Sequence, residues 1–241
     1  MKEHQIITTK DGSHTIYVPE LGEHYHSSFG AIQEAQHIFI ENGFKRIKKP
    51  VVSILEVGFG TGLNCLLSFL EAEKTGQRII YHAVEKYPLE DDEIAKINYG
   101  SILNAGYLFS KIHWVDWMKN MTVNGNTLFK IPYDVLKTLF PQNYDIVYFD
   151  AFSPNVQPEL WTEKLFSKIF QHLRKDGFLV TYSSKGTVKE ALRAAGFFVQ
   201  RLDGPEGKRH ILSAGKEFKG NPPKFIGDEK PKQAPKQTPN G

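Results

Sequence analysis

The sequence is poor in cysteine and in long apolar runs, and each shortage excludes a class of protein. Cys65 is the single cysteine among 241 residues, so neither an intrachain disulfide nor a cysteine-based metal site can form. No apolar run approaches the ~20 residues that a membrane-spanning helix needs. The N-terminal residues 1–5 are polar and lack the apolar core of a signal peptide. We therefore expect a protein of a reducing, cytoplasmic compartment.

The chain also lacks a large excess of either charge. Its formal net charge of +3 permits a nucleic-acid partner without requiring one. The length suits one domain of about 200 residues and a tail. Periodicity ends after residue 215, where Lys, Pro, Gly, Gln and Asn dominate. We expect an N-terminal extension over 1–50 (hairpin and helix) packed on the core, a catalytic core over 51–215, and a disordered Lys/Pro-rich tail over 216–241.

An apolar stretch at 51–57 predicts a buried strand, and three closely spaced glycines follow it. Gly58, Gly60 and Gly62 permit a tight turn and close approach of a ligand, and the next helix offers free N–H groups at its N-terminus. The E-x-G-x-G-x-G spacing differs from the dinucleotide and P-loop motifs. Glu56 can accept a hydrogen bond from a cationic amino group, which suits S-adenosylmethionine (SAM). A plain glycine-rich turn is the simpler alternative.

The rest of the chain alternates strands with helices, which predicts a parallel sheet covered by helices on both faces. Predicted strands lie at 79–84, 112–115, 144–149 and 178–182, predicted helices at 31–44, 161–173 and 187–195, and hairpins at 5–18 and 197–214. The antiparallel last pair resembles the end of the class I SAM-dependent methyltransferase sheet. We therefore predict that Rossmann-like α/β fold, mostly parallel with an antiparallel C-terminal hairpin.

Acidic residues follow the predicted strands in succession, at the edge where open parallel sheets bind ligands. Glu85 lies a little over twenty residues after the glycine turn, where an acid binds ribose hydroxyls. Asp116 could accept a hydrogen bond from the adenine amine, with Trp117 near the ring. This series favours SAM over NAD, although one or two of these acids could be exposed strand ends.

Asp150 opens the segment Asp-Ala-Phe-Ser-Pro, in the position of a catalytic loop. An aliphatic amine is mostly protonated at neutral pH, so a carboxylate that binds it and helps it to lose a proton would assist methyl transfer. Asp is also common at helix N-caps and in turns, which is the structural alternative. The loop 204–210 combines two cations and a histidine, and it either binds phosphate or forms a solvated hairpin tip. No histidine spacing indicates a metal site.

Together these segments are similar to the methyltransferase module of the MnmC/MnmD family, the tRNA 5-methylaminomethyl-2-thiouridine enzymes. The likeness covers about residues 5 to 215. Two motifs are more specific than the glycine turn: Asp-Ala-Phe-Ser-Pro (150–154) with Pro-Glu-Leu-Trp-Thr (158–162), and Gly-Lys-Arg-His (207–210). Further matches lie at Tyr25-His26-Ser27, Gly30-Ala31, Glu34 to His37, 56–64, Glu85-Lys86 and Gly204-Pro205.

The resemblance implies SAM-dependent methylation of the aminomethyl nitrogen on the wobble uridine of certain tRNAs, with no FAD and no metal in this chain. Asp150 would be catalytic. The expected cofactor-binding residues are Glu56, Gly58, Gly60, Gly62, Asn64, Glu85, Asp116 and Trp117. The expected substrate and tRNA residues are Phe152, Ser153, Pro154, Lys185, Lys208, Arg209 and His210. The chain resembles the stand-alone form, which would depend on a separate enzyme to make its aminomethyl substrate.

Two other functions stay open at this point. A polyamine aminopropyltransferase shares the sheet, the glycine turn and an acidic fourth strand end, but uses decarboxylated SAM. A non-catalytic tRNA-binding module could have kept the fold. The run of strand-end acids argues against the second, because these acids would repel phosphate.

Overall fold

The framework of the molecule is a pair of sheets, seen in a computed structural model that describes residues 4–217. A small antiparallel sheet has the order β1-β2-β3, and an eight-stranded sheet has the order β10-β11-β9-β8-β4-β5-β7-β6. The strands are β1 Gln5–Thr8, β2 His14–Val18, β3 Glu23–His24, β4 Val51–Val57, β5 Arg78–Val84, β6 Asn120–Val123, β7 Asn126–Ile131, β8 Tyr144–Phe149, β9 Leu173–Thr181, β10 Phe198–Asp203 and β11 His210–Gly215.

Five strands of the large sheet, β7, β5, β4, β8 and β9, run parallel, and β11 is antiparallel to both β9 and β10. This arrangement confirms the predicted fold class. Val57 pairs with Val84 on one side and with Phe149 on the other, so three central strands end at the same level. The residues that follow those strands are therefore brought side by side.

Helices cover both faces of the large sheet. They are α1 Ala31–Ala35, α2 Leu63–Thr75, α3 Asp91–Ile94, α4 Tyr99–Ile102, α5 Gly106–Trp114, α6 Glu163–His172 and α7 Gly186–Ala194. Side chains alternate between faces along a strand. Ile54 therefore lies in a hydrophobic cluster with Leu66 of α2, and Leu55 lies in a second cluster with Ile169 of α6. No helix in the described range is long and apolar enough to cross a bilayer.

The prediction of a third strand at 112–115 is wrong, because these residues end α5. Ile112 and Val115 are both buried, and their spacing of three fits one helix face as well as a short strand. The third parallel strand is β7, which pairs with β6 through a tight hairpin. Asn124 and Gly125 have φ angles of 47° and 79°, as a two-residue turn with positive φ at both positions requires. The sequence analysis noted this Asn-Gly pair only as a turn signal.

The N-terminal hairpin is confirmed by the pairing of β1 with β2. The helix expected over 31–44 begins at Ala31 but continues as a π-helix over Gln36–Glu41 and ends there. Ile16 of β2 is buried in the same cluster as Ile54 of the large sheet. The predicted disorder of 216–241 falls, beyond Lys216 and Glu217, on residues outside the described range and stays a prediction.

Candidate active site

A cavity of about 690 Å³ lies at the carboxyl ends of the parallel strands. Its floor is formed by the loops that follow β4, β5, β7 and β8, and its roof by residues 21–29 of the N-terminal segment. Gly207 and Lys208, from the turn between β10 and β11, complete the wall. We refer to this space as the central cavity. Its position is the one at which open α/β sheets bind ligands.

Two of the three glycines after β4 line the central cavity. Gly58 has φ +91°, and a Cβ added there would lie 2.4 Å from the carbonyl oxygen of Asp150. Gly60 has φ +48°, and its Cβ would lie 2.8 Å from the ring of Tyr25. Gly62, which directly precedes α2, lies outside the lining and faces His113 of α5. A side chain at either of the first two positions would collide with these neighbours, so glycine lets the loop after β4 lie directly against Asp150 and Tyr25.

Glu85 lies at the end of β5 and lines the central cavity. Its carboxylate accepts hydrogen bonds from the backbone N–H of Gly60 at 3.1 Å and of Tyr87 at 2.9 Å. Burial is the largest influence and raises the pKa of this carboxyl. The backbone contacts fix the carboxylate at the position expected for an acid that binds ribose hydroxyls.

Asp116 is not brought to the central cavity. Its side chain is 65% exposed and pairs with Lys119 at 2.5 Å, which lowers the pKa of the carboxyl. Trp117 also lies outside the lining, beneath Lys130, whose Nζ is 4.9 Å from the ring centroid. The placement of Asp116 at a strand end depended on the incorrect third strand.

Asp134 occupies the place at the third strand end that the sequence analysis gave to Asp116. It follows β7 by three residues and lines the central cavity. Its carboxylate accepts the backbone N–H of Leu136 at 3.0 Å and pairs with Lys86 at 3.2 Å. The Asn-Gly hairpin signal could have located β7, and with it this acid.

Asp150 lies at the end of β8, and its carboxylate is bound by Asn64. The Nδ2 group of Asn64 donates to Asp150 Oδ2 at 2.8 Å and to Glu56 Oε1 at 2.9 Å. Tyr81 donates its hydroxyl to Glu56 Oε2 at 2.9 Å. Burial raises the pKa of Asp150 to about 7 and raises that of Glu56 well above its usual range. Glu56 and Asn64 do not line the cavity, so the structure places them behind Asp150.

The loop after Asp150 is held between the roof and the start of α6. Phe152 packs edge-on against Tyr25, with ring centroids 5.0 Å apart, and its carbonyl oxygen accepts the indole N–H of Trp161 at 2.8 Å. Ser153 donates its backbone N–H to Glu23 at 3.0 Å and its hydroxyl to the same carboxylate. Phe152 and Ser153 both line the cavity, and their contact with substrate stays a prediction.

Lys208 brings a cation to the same end of the cavity. Its Nζ pairs with Glu34 and lies 4.3 Å from the ring centroid of Tyr182. Glu34 also accepts the backbone N–H of Ser27 at 2.8 Å. The remaining expected tRNA residues lie outside the lining: Pro154, Lys185, Arg209 and His210. Their roles stay predictions.

The comparisons with known proteins agree with this geometry. A family model described as S-adenosyl-L-methionine-dependent methyltransferase matches residues 118–217. The chain is 28% identical over 217 residues to the tRNA 5-methylaminomethyl-2-thiouridine biosynthesis bifunctional protein MnmC of Methylobacillus flagellatus, covering 81% of this chain and 33% of that protein. It is 30% identical over 226 residues to the MnmC of Burkholderia thailandensis, covering 86% and 34%. The chain thus spans about a third of the length of the curated relatives it matches.

Solved structures give the same result. The crystal structure of MnmC2 from Aquifex aeolicus matches with a TM-score of 0.76 and 27% identity, covering 92% of this chain and 73% of that one. Spermidine synthase from Thermotoga maritima matches with a TM-score of 0.53 and 16% identity, covering 88% and 73%, which shows the shared fold alone. The predicted resemblance to the MnmC methyltransferase module is confirmed, and the aminopropyltransferase alternative is not favoured.

Proposed function

We propose, from the premise that this chain is a SAM-dependent methyltransferase similar to the MnmC module, that it methylates tRNA. The reaction is N-methylation of the aminomethyl group of 5-aminomethyl-(2-thio)uridine at the wobble position, giving 5-methylaminomethyl-(2-thio)uridine. The observation that carries this proposal is Asp150, a partly buried carboxylate that lines the central cavity together with Gly58 and Lys208. The MnmC relatives are named for this modified uridine, which supports the choice of substrate.

The residues of the central cavity fit SAM, which supplies an electrophilic methyl group on a sulfonium. Gly58 and Gly60 line the cavity and carry no side chain, so the methionine end could lie against the loop backbone. Glu85 would accept hydrogen bonds from the ribose hydroxyls. Asp134 would accept a hydrogen bond from the adenine amine, the role that the sequence analysis gave to Asp116.

Asp150 would bind the acceptor amine and receive its proton. A primary ammonium cannot act as a nucleophile until it loses a proton, and a base works best when its pKa lies near the operating pH. Burial raises the pKa of Asp150 to about 7, which meets this condition. Bound SAM would supply the methyl group to the deprotonated nitrogen, and Asp150 would hold the proton that the nitrogen has lost. The backbone contact from Asp150 N–H to the carbonyl oxygen of Val57, at 2.9 Å, holds the loop against β4.

Aromatic side chains near Asp150 would receive the uridine. Tyr25, Phe152 and Tyr182 line the cavity there and offer flat apolar surfaces, on which an unstacked base can pack. Lys208, with Lys185 and Arg209 farther out, would contact tRNA phosphates. The aminomethyl group must be made at another catalytic centre, because methyl transfer does not create it. We expect this reaction to take place in the cytoplasm.

The test is methyl transfer from labelled SAM to two tRNA pools, one carrying the aminomethyl group at the wobble uridine and one carrying plain uridine. We expect label in the first pool alone. The variant Asp150→Ala should lose about 10²-fold or more in kcat while it still binds SAM. The exposed Asp116→Asn serves as the matched control and should keep its rate.

Two outcomes would contradict the proposal. Equal labelling of both pools would remove the aminomethyl group as the acceptor. Near-normal kcat in Asp150→Ala would remove Asp150 from the reaction. Incubation with putrescine and decarboxylated SAM, in which we expect no spermidine, tests the aminopropyl alternative directly.

A further inference from the structure

The contact between Asn64 and Asp150 is part of a buried chain of hydrogen bonds that sequence analysis did not anticipate. The chain runs from Tyr81 to Glu56, from Glu56 to Asn64, and from Asn64 to Asp150, with distances of 2.9, 2.9 and 2.8 Å. Tyr81 and Glu56 are fully buried, and Asn64 is 2% exposed. The sequence analysis expected Asn64 to bind SAM, but its side chain lies behind the cavity wall.

The chemistry of the neighbours fixes which way the Asn64 amide points. An ionised carboxylate only accepts hydrogen bonds, whereas an amide nitrogen carries two donor hydrogens. In the structure the NH₂ group faces both carboxyl groups, and each hydrogen has one partner. The Oδ1 atom is left buried without a partner among the described residues. The Asn64 amide thus donates to both carboxyl groups, while its own acceptor oxygen makes no hydrogen bond among the described residues.

Glu56 and Tyr81 anchor these hydrogen bonds from two neighbouring strands of the sheet. Glu56 lies in the middle of the sheet, opposite Ala83 of β5 and Tyr148 of β8. Tyr81 lies two residues before Ala83 on the same face of β5, which brings its hydroxyl to Glu56. Asn64 belongs to the first turn of α2. Among the described residues it makes the only side-chain hydrogen bond to the carboxylate of Asp150.

We propose that Asn64 is a positioning residue whose amide, anchored by Glu56 and Tyr81, holds the Asp150 carboxylate in one orientation and stabilises its ionised form. This inference rests on the proposed function, since that function gives Asp150 the acceptor amine. Without the donor from Asn64, the Asp150 carboxylate would still be shielded from water but would lose its hydrogen bond. Its pKa would therefore rise. Other charged or titratable groups also face Asp150 from neighbouring elements: Glu34, Glu56, Tyr99, Tyr182 and Lys208.

The direct test is the titration of Asp150 in the full chain without SAM or tRNA. Carbon-13 NMR of aspartate labelled at the side-chain carboxyl follows the titration, and Asp150→Asn assigns the signal. Asn64→Leu removes both donors at similar volume and should raise the pKa of Asp150 by about 1 to 2. Asn64→Asp replaces the donors by acceptors and should shift the pKa in the same direction, which keeps the test decisive if the Leu variant does not fold. Ser68→Ala, a buried polar change on the same helix, should leave the pKa in place.

Kinetics then separate positioning from cofactor binding. In Asn64→Leu we expect the dissociation constant for SAM to change less than about threefold. We expect kcat to fall about 10- to 100-fold at pH 7 and to recover partly at pH 9, where Asp150 ionises again. An unchanged pKa of Asp150 would overturn the proposal. A loss of SAM affinity as large as the loss of kcat/KM would also overturn it and make Asn64 a cofactor ligand. A wild-type protein inactive on aminomethyl-tRNA would instead refute the proposed function, and the titration would still decide the role of Asn64.

Discussion

Replacing Asp150 with asparagine should stabilise the protein at alkaline pH, because the partly buried carboxylate is costly to ionise. Burial raises its pKa from 3.8 to about 7. A difference of about 3 pH units, at 1.36 kcal/mol each, sets an upper limit of about 4 kcal/mol for this cost. Asparagine keeps the shape and can accept the Asn64 hydrogen bond through its own Oδ1. It loses the attraction to Lys208, so we expect a net gain of about 2 kcal/mol at pH 8.5.

The stabilising effect of Asp150→Asn should depend on pH. The pKa of Asp150 is higher in the folded than in the unfolded state, so between pH 3.8 and about 7 the folded state holds the additional proton. The free energy of unfolding of the wild type must then fall as pH rises through this window. The stabilisation by Asp150→Asn should be close to zero at pH 4 and complete above pH 7.

Calorimetric unfolding without SAM, at pH 4.5, 6 and 8.5, measures this effect. A gain of about 2 kcal/mol corresponds to a rise in Tm of about 4 to 8 °C for a domain of this size. The exposed Asp116→Asn should give no such pH-dependent rise. A variant that is less stable than the wild type at pH 8.5, or a gain that is the same at every pH, would refute the reasoning.

Three further predictions concern SAM, and calorimetric titration measures each of them. Gly58→Ala should weaken SAM binding at least about 10-fold and lower Tm. The new Cβ would lie 2.4 Å from the carbonyl oxygen of Asp150, and the positive φ of this position costs a non-glycine residue about 1–2 kcal/mol. Normal affinity would show that SAM does not bind against this loop. Glu85→Gln should weaken binding about 10- to 100-fold, the value of one charge-assisted hydrogen bond, and an unchanged affinity would remove it from the ribose site. Asp134→Asn should weaken binding about 10-fold while Asp116→Asn does not, and the reverse result would restore the original assignment.

The elements predicted correctly are those whose signal lies within a short stretch of chain. The apolar run at 51–57 and the glycines after it define β4 and its turn, and the same type of run defines β8 before Asp150. The alternation of strands and helices was enough to give the sheet and its final antiparallel pair. Because Val57 pairs with Val84 and Phe149, the residues after these strands meet at one edge, as the fold class implies.

The prediction of a third strand at 112–115 was wrong because the spacing of its apolar residues is ambiguous. Ile112 and Val115 satisfy a helix face as well as a strand, and the neighbouring core decided in favour of α5. One misplaced strand then led the sequence analysis to place Asp116, and not Asp134, at the third strand end. The side chains of Glu56 and Asn64 lie outside the cavity lining, which the sequence analysis did not anticipate. A residue next to a glycine loop can point into the cavity or behind it, and the sequence does not show which.

The sequence by itself determined the fold class, the glycine cradle and the acids that follow β5 and β8, because strand periodicity and backbone freedom are local properties of the chain. Only the tertiary structure decided that Asp134 enters the cavity and that Asp116 does not. It alone also showed that Glu56 and Asn64 face Asp150. Side-chain direction and burial depend on neighbours far apart in sequence, and these neighbours meet only when the sheet is assembled.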